Sequence, residues 1–178
     1  MIAFNFNLDR ALNAILYVAS KLKVSDFHKI FKILYFADRE HLSKYGRPVT
    51  GDTYIKMESG PVPSNIYDIL KAVRGDSFFS SKADNFAKMF TVEANYIIKP
   101  IQKANMDYLS KSDIIELDAS IDKCKDKSFE ELKILSHDLA WNSAKNNSPI
   151  SFEDILREVG DDGDYINYIA EFSERSLS

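Results

Sequence analysis

Apolar residues return every three or four positions through most of this chain. Leu8, Ala11, Leu12, Ile15, Ala19 and Leu22 share one face, and Asn7 stands where an N-cap belongs, so the spacing predicts an amphipathic helix of about four turns. Ser25 is placed to cap a second helix with Phe27, Ile30, Phe31, Leu34, Ala37 and Leu42 inward, stopped at Gly46 in a left-handed conformation. Each apolar stripe needs cover, and a hairpin of the two helices is expected. The period then changes. Thr53-Tyr54-Ile55-Lys56-Met57 alternates with period two and reads as a strand with Ile55 and Met57 on one face. Pro61 and Pro63 hold the next residues extended until Ser64, read as the cap of a helix with Ile66, Ile69, Leu70 and Val73 inward and Gly75 at its end.

Residues 77–85 are polar around Phe78-Phe79, and Met89-Phe90-Thr91-Val92 with Tyr96-Ile97-Ile98 flank a turn at Asn95. This reads as a β-hairpin able to pair with the strand at 53–57. Ser110-x-x-Asp113 opens a helix with Ile114, Leu117 and Ile121 inward, and the capping box Ser128-x-x-Glu131 opens another carrying Leu132, Leu135 and Leu139. His137 and Trp141 fall four apart on that second helix, a spacing that suits a surface recognition spot or, as the favoured reading, a core edge where the indole N–H finds a partner. Pro149 breaks the pattern, Ser151 caps a short helix with Ile155 and Leu156, and Asp161-Asp162-Gly163-Asp164 turns into a last helix with Tyr165, Ile169 and Phe172, capped by Asp164. The expected fold is α+β and predominantly α-helical, with about six to seven helices around a core and one small antiparallel sheet of two or three strands.

Composition narrows the functional classes. The chain has 178 residues, of which 45% are hydrophobic and 28% charged, with 12 Phe and 9 Tyr; that excludes a disordered protein and fits one domain over 1–178. A single cysteine, Cys124, excludes an intrachain disulfide and a four-cysteine zinc site. No secretory pattern opens the sequence and no apolar run approaches the ~18 residues of a membrane span, so the cytosol is the expected compartment. The net charge of −4 and the dispersed lysines give no general attraction for nucleic acid, and an aromatic stacking platform would need a basic groove.

Candidate chemistry centres on residues 32–70, which hold three of the six glycines and three of the five prolines. Asp38 lies one helical turn before His41, and with His28 and His137 this is the whole histidine content. A metal- or acid/base-dependent hydrolase could be assembled from Asp38, His41 and neighbouring charges. The spacing fits a hydrogen-bonded structural pair better, because no H-E-x-x-H, G-x-S-x-G, P-loop or G-x-G-x-x-G accompanies it. Asp38, Arg39, Arg47 and Asp52 read as charges that lock the turn. The acids at 161–164 do not continue as a calcium loop, whose twelfth position would be Phe172 instead of Glu.

Three blocks in order, Ile33-Leu34-Tyr35-Phe36-Ala37-Asp38-Arg39, then Tyr45-Gly46-Arg47-Pro48-Val49-Thr50-Gly51-Asp52-x-Tyr54, then Gly60-Pro61-Val62-Pro63-Ser64-x-x-Tyr67, resemble the Panacea-domain family of SocA-like antitoxins and phage-associated GepA-like proteins. Weaker echoes fall at Leu109-Ser110 and from Ser136-His137 to Trp141. Glu58-Ser59, ahead of Gly60-Pro61, departs from the more apolar lead-in of the family, and no appended helix-turn-helix region is present. The resemblance implies an antitoxin that neutralises a cognate protein toxin, encoded by the adjacent gene, by direct binding. The alternative it implies is an adaptor delivering the toxin to a bacterial AAA+ protease. No catalytic, cofactor or metal residue comes with the resemblance. Asp38, Arg39, Tyr45, Gly46, Arg47, Pro48, Thr50, Gly51, Asp52, Tyr54, Gly60, Pro61, Pro63, Tyr67, His137 and Trp141 are accordingly taken as scaffold or candidate partner-binding positions.

Overall fold

The helix α2 (Phe27–Tyr45) is buried without interruption from Ile30 to Arg39, and the other elements pack around it. In this computed structural model, residues 1–76 and 80–176 are described, apart from the side chains of 80–82 and 172–176; the expectations for Phe78, Phe79 and the Phe172 side chain lie outside these. An apolar stripe predicts one buried face for α2, but the helix is covered on nearly every side. Its polar residues Lys32, Asp38, Arg39 and His41 are therefore also buried, and each needs a partner to offset the cost of leaving water.

Among the described residues there are nine α-helices and two antiparallel two-stranded sheets. Helix α1 (Leu8–Lys21) is capped by the Asn7 side chain, which accepts from the Arg10 backbone N–H, and it buries Ala11 through Leu16, Val18 and Ala19. It touches α2, while the most extensive partner of α2 is α5 (Lys111–Cys124). The Asp26 carboxylate caps α2, one residue later than expected, because the Ser25 hydroxyl is engaged elsewhere, donating to the Ile98 carbonyl at 2.5 Å. Gly46 ends α2 in the left-handed region, with its N–H on the Leu42 carbonyl.

Strand β1 (Tyr54–Met57) pairs with β2 (Gly60–Pro63), with Tyr54 opposite Pro63 and Met57 opposite Gly60. The buried face of β1 is that of Tyr54, while Met57 is exposed. The hairpin β3 (Phe90–Glu93) and β4 (Ile97–Pro100) turns at Asn95, as the sequence pattern indicates, but forms a separate sheet. One outer edge of each sheet is already taken. Ile98 N–H donates to the Ser25 carbonyl at 2.9 Å, and the free side of β1 is bonded by residues 147–150 through Lys56 N–H to Ser148 and Ile150 N–H to Tyr54. Covering an edge in this way satisfies its amides and prevents further pairing.

Helix α3 (Ser64–Arg74) starts with Pro63 in the N-cap position and no cap from Ser64. It is followed by α4 (Ser80–Phe86) and, past the β3–β4 hairpin, by the capping boxes of α5, at Ser110 and Asp113, and of α6 (Phe129–Ser136), at Ser128 and Glu131. Helix α6 stops at Ser136, so Leu139 begins a separate helix, α7 (Leu139–Ser143), and is half exposed. Ser151 caps α8 (Phe152–Glu158), and α9 (Asp164–Ser176) follows. The first acid of the 161–164 turn, rather than the last, caps α9: Asp161 accepts from Gly163, Tyr165 and Ile166 N–H. One connected apolar core runs from Ile2 to Ile169.

Candidate functional site

The chain leaving α2 folds back over it, and the buried polar groups of α2 select where it lies. Asp38, 3% exposed, accepts from Thr50 N–H at 2.9 Å on one oxygen, and from the Thr50 hydroxyl at 2.5 Å and the Tyr54 hydroxyl at 2.8 Å on the other. Burial pushes its carboxyl up to about 6 despite these three donors. Thr50 in turn accepts from Asp52 N–H, and Asp52, fully buried, accepts from Thr53, Asn65 and Ile66 N–H and from the Asn65 amide. Asp52 thus caps α3 from across the turn.

A second cluster sits beside it. His41 donates from Nδ1 to the Arg47 carbonyl at 2.7 Å, which leaves Nε2 to accept from Ser112 Oγ at 2.9 Å; burial lowers its pKa and favours this neutral form. Arg47 reaches Asp113 at 2.9 Å, Ser110 Oγ at 3.2 Å and the Pro48 carbonyl at 3.1 Å, tying the turn to the start of α5. Asp38 and His41, one turn apart on α2, do not bond each other: each is taken by a different stretch of the following loop. The acid/histidine pair read from their spacing is therefore not formed.

Arg39 points away from the turn. Its guanidinium lies 3.3 Å from Asp138, 3.7 Å from Glu158 and 3.1 Å from Glu40, so it does not lock the turn. Asp138 also accepts from the Tyr35 hydroxyl at 2.8 Å and caps α7 through Trp141 N–H at 2.9 Å. His137 closes α6 rather than lying within it, and its ring stacks on Trp141 at 3.7 Å and 6°. The Trp141 indole donates to the Met57 carbonyl at 3.1 Å, and Lys56 lies over the same ring at 4.1 Å.

On the other side of the β1–β2 turn is an open groove of about 510 Å³ whose walls include Phe27, Phe31, Met57, Tyr67, Tyr96 and Phe129. Tyr67 meets Phe31 edge-on at 5.6 Å, and His28 stacks on Phe129 at 3.9 Å. Beneath the groove lies Lys32, 1% exposed, whose ammonium donates to the Pro61 carbonyl at 2.9 Å. Gly60 makes room for it: a Cβ there would meet Ser136 Oγ and come within 2.7 Å of Lys32 Cε. Burial drives the Lys32 pKa down to about 7, and burial followed by the charge of Lys32 drives His28 down to about 4.

The structure gathers Asp38, Thr50, Asp52 and Tyr54 into one network and Arg47 and Pro48 into the neighbouring one. Tyr45 is 48% exposed with its ring 4.6 Å from His41. Gly51 lies against the backbone of Asn5. Gly60, Pro61 and Pro63 lie on β2, which meets the aromatic groove through Val62 and takes the Lys32 ammonium on the Pro61 carbonyl, whereas His137 and Trp141 join Arg39 by way of Asp138. Sequence reasoning missed Lys32, His28, Phe129 and Asp138 as parts of these clusters. Lys32 has a signal in hindsight, as a lone charge inside the run Ile30-Phe31-Lys32-Ile33-Leu34.

Among the described residues no helix is long and apolar enough to cross a membrane. No curated protein and no solved structure matches the chain. A family model does match, over residues 30–142, which spans α2 through most of α7 and contains all three motif blocks. By that match the chain belongs to the antitoxin SocA-like, Panacea-domain family.

Proposed function

We propose that this chain is an antitoxin that acts in the cytoplasm by binding a cognate protein toxin encoded beside it. The observation that carries the reading is the family match over residues 30–142. The geometry agrees with it: Asp38, His41, Asp52 and Arg47 spend their hydrogen-bonding capacity holding the turn, while aromatic side chains are left on an open groove. Aromatic anchors of this kind carry much of the energy of protein interfaces. Co-expression of the adjacent gene product with and without this chain tests the proposal. Growth arrest by that product alone, relieved by this chain together with co-purification of the two, is the expected result; a product that is harmless alone or stays toxic and unbound overturns it. Partner half-life separates occlusion from delivery to a protease, since delivery shortens it.

A further inference from the structure

The aromatic groove beside β1–β2 has a charge pattern opposite to that of the chain as a whole. The net charge is −4, yet Lys32 lies under the groove with its ammonium on a backbone carbonyl and no carboxylate bonded to it among the described residues. Across the β1–β2 turn, Lys56 and Lys133 line a second depression together with Trp141 and His137, whose neutral form burial favours, against one acid, Glu58. Among the described residues the only acid lining the groove itself is Asp26, whose carboxylate is held by the start of α2. Two adjoining concavities thus combine apolar rings with Lys32, Lys56 and Lys133, none of which is paired with a carboxylate among the described residues.

We infer that this double groove is the partner-binding surface and that it takes an acidic segment of the partner protein, with an apolar side chain on Phe31 and Tyr67 and carboxylates toward Lys32, Lys133 and Lys56. Charge complementarity selects this occupant. A basic or neutral segment would leave the buried ammonium without a counter-charge, whereas a carboxylate placed in a low-dielectric groove gains most from it. The inference rests on the partner-binding reading above and locates its surface. Burial lowers the Lys32 pKa, in keeping with an ammonium that has a backbone carbonyl but no carboxylate beside it in the free protein.

The test uses the full chain, labelled with 15N, and three blocked octapeptides built on a central Phe-Leu pair flanked by Glu and Asp, by Gln and Asn, or by Lys. The acidic peptide is expected to shift amides of Met57, Tyr67 and Phe129, to bind about tenfold more tightly than the amide version, and to lose that advantage in high salt. Lys32→Met, which keeps the length of the side chain and removes the charge, and Lys133→Glu on the rim should each weaken acidic-peptide binding several-fold, while Lys111→Glu at the start of α5 should not. Equal affinity for the acidic and amide peptides, no binding of either, or shifts away from the groove overturn the inference. Repeating the variants with the adjacent gene product separates the two proposals. If wild type binds that product and Lys32→Met and Lys133→Glu bind it equally well, the groove is wrong and the antitoxin reading stands; if the acidic peptide binds the groove but the product does not bind at all, the antitoxin reading fails.

Discussion

Replacing Asp52 by Ala should unfold the chain more readily than replacing Ser64, although Ser64 is the residue that the sequence marks as the cap of α3. Asp52 is fully buried and accepts four hydrogen bonds, from Thr53, Asn65 and Ile66 N–H and the Asn65 side chain, whereas Ser64 makes no capping bond. Loss of a cap costs about 1 kcal/mol. The buried Ile66 N–H, left without an acceptor, adds about 1–3 kcal/mol. Burial holds the Asp52 carboxyl above its ordinary range, so removing it also relieves a penalty and keeps the net loss to about 2–3 kcal/mol. At about 2–4 °C per kcal/mol for a chain of this size, that is a drop in Tm of roughly 4–12 °C. Asp52→Asn retains one acceptor and should fall about halfway, while Ser64→Ala should stay within about 0.5 kcal/mol of wild type. Urea titrations followed by far-UV circular dichroism measure all three. A Ser64→Ala loss equal to or larger than that of Asp52→Ala would refute the cross-turn cap.

Three further outcomes follow from the same geometry. Lys32 deprotonates near 7 in the folded chain and near 10.5 when unfolded, so between those values the unfolded state holds more protons and stability rises with pH; Lys32→Met should remove that slope and stabilise the protein by about 1–4 kcal/mol at neutral pH, as pH-dependent urea midpoints would show. Gly51→Ala puts a Cβ against the Asn5 carbonyl at a φ of 72°, and a loss of about 2–4 kcal/mol is expected, compared with about 1 kcal/mol for Gly75→Ala, where nothing lies within 4 Å; thermal melts decide. Cys124 is buried with its thiol pushed up to about 11 by desolvation, so at neutral pH it should react with a disulfide reagent only as fast as the protein opens, and rapid labelling of the native chain would contradict the core placement.

Elements whose signals are local could be read from the sequence. Asn7, Ser110, Ser128 and Ser151 cap the helices that they precede, and Gly46 and Gly75 end theirs, because each of these interactions closes within one helical turn. What the sequence could not disclose depends on which segments meet. Ser64 looks like a cap until Asp52 is brought to the same helix end by the turn at 46–52. The Asn95 hairpin could not be placed because its free edge is claimed by Ser25, 73 residues away. Asp38 and His41 share a face by spacing, yet the loop after α2 gives them different partners. The family motif was legible throughout; the groove was not, since its walls come from α2, α3, α6 and both hairpins.

The way α2 is enclosed bears on where this protein can be cut. The matched segment, 30–142, carries the motifs, but the cover of α2 also includes α1 and α8, which lie outside it. Ile15, Leu16 and Val18 before the match and Ile150, Ile155 and Leu156 after it belong to the same apolar core. A fragment trimmed to the region of kinship would present those contact faces of α2 to water and should aggregate rather than bind. Boundaries for expression, fusion or domain grafting are set here by the helices that complete the core around α2, and that calls for retaining the chain from Ile2 through at least Ile169.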